Sequence, residues 1–195
     1  MITGQHIKNA IVPHLKQGVL STFKNVTAFW ELEKANGFSS SAKMRSEWIS
    51  YNFGQKLKEY LESLPELNNI QVIAGKSDND VDMVFKDKTT LEDYLMEIKV
   101  SCSTQWRGGE FSIRESDHLM IYWNQRDGIF DIYSSLLYLA KTDWISQMAQ
   151  GKNYYAPSVS RALLAAKERL DINGKIIDWQ VKNNKNFIKM DYEHI

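Results

Sequence analysis

The run Asp80-Val81-Asp82-Met83-Val84-Phe85 and, after a polar interval, Tyr94-Leu95-Met96-Glu97-Ile98-Lys99-Val100 decide how this chain is read. Both runs are short, apolar and rich in β-branched or aromatic residues, so they read as strands. The interval from Lys86 to Asp93, rich in Lys and Thr, reads as the hairpin that joins them. Alternate side chains of a strand share a face, so Glu97 and Lys99 point the same way. If the two strands pair, Asp82 comes alongside Glu97. Two carboxylates and an ammonium then meet at one place, which is how a hydrolytic magnesium site is commonly built. Strand parity puts Asp80 on the same face as Asp82 and leaves it as an alternative ligand. Asp82 is preferred because it lies directly before Met83-Val84-Phe85.

Outward from this pair of strands, the N-terminal part of the chain has helical spacing. Pro13 stands where a first helical turn tolerates it, and Leu15, Val19, Phe23, Val26, Phe29, Trp30 and Leu32 follow, with Gly37 as the stop. After Ser39-Ser40-Ser41 a second helix is expected from about Ala42 to Leu64, ended by Pro65. From Asn69 the period becomes that of strands: Ile70–Ala74, Val81–Phe85, Asp93–Ser101, His118–Trp123 and Phe130–Leu139, the last running on towards a helix. Two helices are expected at Asp143–Gln150 and Val159–Leu170, and Lys175–Trp179 reads as an edge strand or arm. Helices, then a mixed sheet, then helices make an α/β fold, a mixed β-sheet flanked by α-helices on both faces. The expectation is a single domain over 1–195, with N-terminal helices at 1–66, a sheet core at 67–140 and C-terminal helices and tail at 141–195.

Composition narrows the class. With 195 residues, 43% hydrophobic and 25% charged, the chain can bury one sizeable core but hardly two. No apolar stretch is long enough to span a bilayer. The N-terminus lacks the charged-then-apolar pattern of a secretion signal, and the single cysteine, Cys102, excludes an internal disulfide and a cysteine-built zinc site. A cytoplasmic location without membrane contact is therefore expected. The four histidines are scattered without ligand spacing.

Net charge is zero, yet its distribution is uneven. Residues 1–60 hold eight Lys or Arg against four acids, and residues 152–195 hold eight against five. Residues 78–97 hold seven acids against two lysines. Basic flanks around an acidic centre can hold phosphates outside and a metal ion within, although an unevenly charged solvated surface gives the same pattern.

Cleaving a phosphodiester requires water at an already negative group and stabilisation of the leaving oxygen. A carboxylate-held magnesium ion serves both needs. Asp82 and Glu97 suit that task, the Ile98 carbonyl can add a ligand, and Lys99 can meet the attacking water or the phosphate. The tripeptide Glu-x-Lys is common. An Asp that opens one apolar strand, fifteen residues before a Glu-Ile-Lys that closes another, is far more specific. Three charged groups facing one way in apolar strands are costly unless used or exposed.

This arrangement resembles the PD-(D/E)xK nuclease superfamily, and in size a small type II restriction endonuclease. The resemblance covers roughly Glu47 to Trp123. It implies a restriction-endonuclease-like core, Asp82 and Glu97 as metal ligands and Lys99 as the catalytic lysine. Val81 stands where the family's Pro is expected. The family often places a Glu on a helix before the sheet, a place matched by Glu47, with Lys43 and Arg45 beside it to meet phosphates. The loop after the lysine commonly reaches the DNA grooves in these enzymes. Here it is Ser101-Cys102-Ser103-Thr104-Gln105-Trp106-Arg107-Gly108-Gly109, in which Ser101, Ser103, Thr104, Gln105 and Arg107 are candidate DNA contacts. Arg114, Arg126 and Lys152 are further candidates.

The expected activity is magnesium-dependent, sequence-specific cleavage of double-stranded DNA. A twofold target implies a homodimer, for which the first helix, with Phe23, Phe29 and Trp30, offers an apolar face. The alternatives are a structure-specific nuclease, such as a junction resolvase or repair enzyme, and a non-catalytic DNA-binding module on the same fold.

Overall fold

Two long helices open the chain because their apolar residues recur every three to four positions. The computed structural model describes residues 4–38, 41–75, 80–101, 113–126, 129–149, 152–157 and 188–194. Helix α1 covers Gln5–Ala35 and helix α2 covers Ala42–Glu62. The described chain divides into two compact units, one ending at Ile98 and the other beginning at Lys99.

In the first unit α1 begins eight residues before Pro13, so the proline lies inside the helix and not in its first turn. Pro13 leaves one carbonyl without its helical donor. Burial of Ile7, Ile11 and Leu15, spaced by four and wholly inaccessible, offsets that loss. The helix stops at Gly37, whose φ of +77° is readily adopted only by glycine. Ser41 starts α2, its Oγ accepting the Met44 N–H at 3.2 Å. The two helices meet at Phe23 and Phe53, edge to face with ring centroids 6.3 Å apart. At Gly18 they touch so closely that a Cβ would lie 2.5 Å from Leu57 Cδ1.

Three strands follow: β1 (Ile70–Ala74), β2 (Met83–Asp87) and β3 (Asp93–Ser101). They pair antiparallel, with Val72 opposite Phe85 and Phe85 opposite Tyr94. One face of this meander is buried, carrying Ile70, Val72, Met83, Phe85, Tyr94 and Met96. The other carries Gln71, Ile73, Val84, Lys86 and Leu95, all more exposed. Helix α2 lies on the buried face, because a Cβ on Gly54 would stand 3.6 Å from Met83 Sδ and 3.9 Å from Ala74 Cβ. Helix α1 starts there too, as a Cβ on Gly4 would be 2.6 Å from the Asp93 carbonyl oxygen and 3.1 Å from Tyr94 Cβ. Within this unit, then, both helices cover one face of the strands.

In the second unit β4 (Ser116–Arg126) pairs antiparallel along its whole length with β5 (Ile129–Leu139), and β5 pairs with β8 (Ile188–His194). Every residue from Asp117 to Ile121 is buried, as befits a strand covered on both faces. A separate hairpin joins β6 (Trp144–Ala149) to β7 (Lys152–Pro157).

The α/β class holds, and three of the expected elements need correction. Strand β2 starts at Met83, not Val81. β5 ends at Leu139 and does not run into a helix. The helix expected over 143–150 is instead strand β6. Its apolar residues, Trp144, Ile145 and Met148, fit helical spacing, but they pair with Pro157, Ala156 and Asn153 of β7. The expected helix at 159–170 and arm at 175–179 lie outside the described residues.

Candidate functional site

The described acids of the central run fall at two ends of the β2–β3 pair. Asp87, at the far end of β2, accepts the backbone N–H groups of Thr89 and Thr90 on Oδ1, at 2.7 and 2.9 Å. Its Oδ2 lies 3.1 Å from His6 Nε2, and Glu92 Oε2 lies 3.2 Å from His6 Nδ1. The two turn amides, and after them His6, hold the Asp87 carboxyl below its ordinary range. Asp93 stands 3.5 Å from Lys86. These acids shape the β2–β3 turn and tie it to the start of α1. His6, which looked unremarkable in sequence, belongs to that cluster.

Asp82 and Glu97 are at the opposite end of the hairpin. The register pairs Met83 with Met96, so the next positions outward are Asp82 and Glu97. Asp82 lies just beyond the ladder, and its Oδ2 accepts the Ile98 N–H at 2.7 Å. A carboxylate that bonds the amide between Glu97 and Lys99 is held against that segment. Glu97 is 3% exposed, Asp82 and Lys99 are half-buried, and Asp80 is exposed. The Asp82 carboxylate thus reaches the Glu-Ile-Lys strand. Lys99 follows Glu97 by two positions along β3, hence on the same face by strand parity.

Two glycines stand against Asp82: Gly54, which the sequence puts on one line of α2 with Glu47 and Tyr51, and Gly75, not singled out in the sequence. The Gly75 N–H donates to the Asp82 carbonyl at 2.9 Å, extending the β1–β2 ladder by one step. A Cβ on Gly75 would lie 2.5 Å from the Val81 carbonyl oxygen and 3.2 Å from Asp80 Cβ, so only glycine fits without displacement. On the helix side, a Cβ on Gly54 would stand 3.8 Å from the Asp82 carbonyl oxygen. Helix α2 thus crosses directly above the start of β2. A strand-ending glycine just before an acidic loop was the available signal.

The other candidates are spread more widely. Glu47 stands seven residues before Gly54, two helical turns or about 10 Å along the same line of α2. The helix backbone at Lys43, Arg45 and Glu47 is described, while their side chains lie outside the described set. Ser101 is 8% exposed at the end of β3, and Arg114 is half-buried before β4. Arg126 ends β4 and Lys152 begins β7. Ser103, Thr104, Gln105 and Arg107 lie outside the described residues.

Among the described residues no group of three or more His, Cys, Asp or Glu side chains is gathered to hold a metal ion. Two carboxylates with a nearby backbone carbonyl still suit magnesium, which keeps several waters and takes only one or two carboxylates. No helix among the described residues is long and apolar enough to cross a membrane. Comparison with family models, curated proteins and solved structures gives no match to this chain.

Proposed function

We propose that this chain is a magnesium-dependent endonuclease of restriction-endonuclease-like fold that cuts double-stranded DNA at specific sequences, as a type II restriction enzyme does. The single observation that carries this reading is the 2.7 Å hydrogen bond from the Ile98 N–H to Asp82 Oδ2. It joins an acid that opens one strand to the Glu-Ile-Lys that closes the next, the spatial relation the expected chemistry needs.

In this reading Asp82 and Glu97 hold the magnesium ion, and the Ile98 carbonyl is the third protein ligand. An ion held there would supply an acidified water and positive charge beside the leaving oxygen. Asp82 is fixed by its bond to Ile98 and by Gly75 behind it, so its carboxylate has little freedom to lose on binding. Glu97 is already desolvated, which strengthens its attraction for a cation. Lys99 contributes a point charge at the scissile phosphate. Glu47 serves the metal site from α2 as a further catalytic acid, and Lys43 and Arg45 beside it meet the DNA phosphates. The loop containing Ser103, Thr104, Gln105 and Arg107 reads the groove, flanked by Ser101 and Arg114.

The test is incubation of the purified protein with phage and plasmid DNA in magnesium, calcium or chelator. Discrete fragments in magnesium alone, with binding but no cutting in calcium, are expected. Intact DNA in all three conditions, with every duplex tried, refutes the reading.

A further inference from the structure

His6, on the first turn of α1, stands between two acids at the β2–β3 turn. Its Nε2 lies 3.1 Å from Asp87 Oδ2, and its Nδ1 lies 3.2 Å from Glu92 Oε2. A neutral imidazole carries one N–H and one lone pair, whereas the imidazolium carries two N–H groups. A carboxylate only accepts. A neutral ring therefore satisfies one of the two contacts and turns a lone pair towards the other acid. Both bonds stand together only when the ring is doubly protonated.

The two acids are held to different degrees. Asp87 Oδ1 accepts the Thr89 and Thr90 amides at 2.7 and 2.9 Å, which fixes that carboxylate with Oδ2 towards His6. Its side chain is 9% exposed, against 44% for Glu92. Glu92 also follows Leu91, an exposed leucine at φ +59°, a backbone conformation that favours glycine. The turn is thus secured at Asp87 and strained beside Glu92.

On the helix side, α1 starts at Gly4 with no side-chain cap and no acid in its first turn. The negative charge that a helix start favours comes instead from Asp87 and Glu92, which also offset a cation on His6 at that positive end. The other charged groups of these elements are Lys86, 3.5 Å from Asp93, Lys88, whose Nζ bonds the Asn68 carbonyl at 2.6 Å, and Lys8, buried in α1.

We propose that this three-residue contact is a pH-sensitive clamp. With its ring doubly protonated, His6 ties the first turn of α1 to both Asp87 and Glu92. When it loses a proton it keeps Asp87, the fixed partner, and releases Glu92 and with it the strained end of the turn. The hold is complete on the acid side of the range in which imidazole changes charge, about pH 5 to 8, and is lost as pH rises through it. The clamp goes beyond the nuclease reading and does not depend on it.

Amide hydrogen exchange of the full chain, followed by NMR at about pH 5.5 and pH 8, tests this. The Lys8 amide is the reporter, because its bond to the Gly4 carbonyl at 3.0 Å closes the first turn of α1. Corrected for the intrinsic pH dependence of exchange, its protection is expected to fall about two- to fivefold between the two conditions, the size that a partly exposed ion pair allows. Glu92→Gln should remove the drop, since a side-chain amide can offer an N–H to the neutral ring or its oxygen to the protonated one. His6→Ala should leave protection low at both pH values. Wild-type protection that does not change, or a drop that persists undiminished in Glu92→Gln or His6→Ala, overturns the proposal.

Discussion

Replacing Gly75 with alanine tests whether the start of β2 is positioned for chemistry. The added Cβ would meet the Val81 carbonyl oxygen at 2.5 Å, whereas real contacts of this kind open to 3.0–3.4 Å or more. The backbone at Val81 must therefore move by about 0.5 to 0.9 Å, and Asp82 is the next residue. Productive sites tolerate about 0.5 Å, and a 1 Å misplacement can cost about a hundredfold in rate. Cleavage should thus fall by roughly tenfold to a hundredfold, or about 1.4–2.7 kcal/mol of transition-state stabilisation. Overpacking costs typically 1–3 kcal/mol, and the stiffer unfolded chain returns about 0.4–1 kcal/mol. The net loss of about 1–2 kcal/mol should lower Tm by only a few degrees in a chain of this length. Initial cleavage rates read beside thermal unfolding separate the two effects. A Gly75→Ala protein that cuts at the wild-type rate would refute the reasoning.

Three further outcomes follow. Lys99→Ala should abolish cutting while leaving DNA binding in calcium intact, which a gel-shift assay beside a cleavage assay would show; retained cutting removes Lys99 from the mechanism. The lowered Asp87 carboxyl contributes stability that is fully present above its ordinary value of 3.8 and is lost as pH falls through its value in the folded protein. Urea unfolding should therefore show a gap between wild type and Asp87→Asn at pH 6 that narrows as the pH falls below 3.8; a gap that stays constant on acidification contradicts this assignment. Phe53→Ala removes a wholly buried ring that packs on Phe23 and should cost about 3–5 kcal/mol, lowering Tm by roughly 10 °C, measured by calorimetry.

Much of the first unit could be read from sequence because its signals are local. Strands 70–74 and 93–101 match their expected bounds, since each alternates or clusters apolar residues between clear turn signals. The ends of elements were harder. Pro13 was read as a helix start, and it is tolerated inside α1 because Ile7 and Ile11 are buried on the near side of it. Phe23, Phe29 and Trp30, all apolar in the same helix, read as core first and as a dimer face second. Phe23 and Trp30 face the core and only Phe29 reaches the surface, a distinction that depends on which side α2 packs.

The candidate site divides in the same way. Asp82 and Glu97 become neighbours through a hairpin whose register follows from two short strands, so their meeting was legible. The choice between Asp80 and Asp82 turns on one hydrogen bond to Ile98, and parity alone leaves it open. The part played by Gly75 is not legible in sequence, because a glycine's role depends on what would strike its missing Cβ. The β6–β7 hairpin was misread because Trp144, Ile145 and Met148 satisfy a helical period. The partner strand decides their conformation.

The most direct test of the central claim compares wild type and Glu97→Gln on supercoiled plasmid in magnesium. The wild type should give linear DNA, and Glu97→Gln, folded and of the same shape, should leave the plasmid closed because the ion has lost a charged ligand. A wild type that never cuts, or a Glu97→Gln protein that cuts equally well, would contradict a magnesium nuclease built on Asp82 and Glu97.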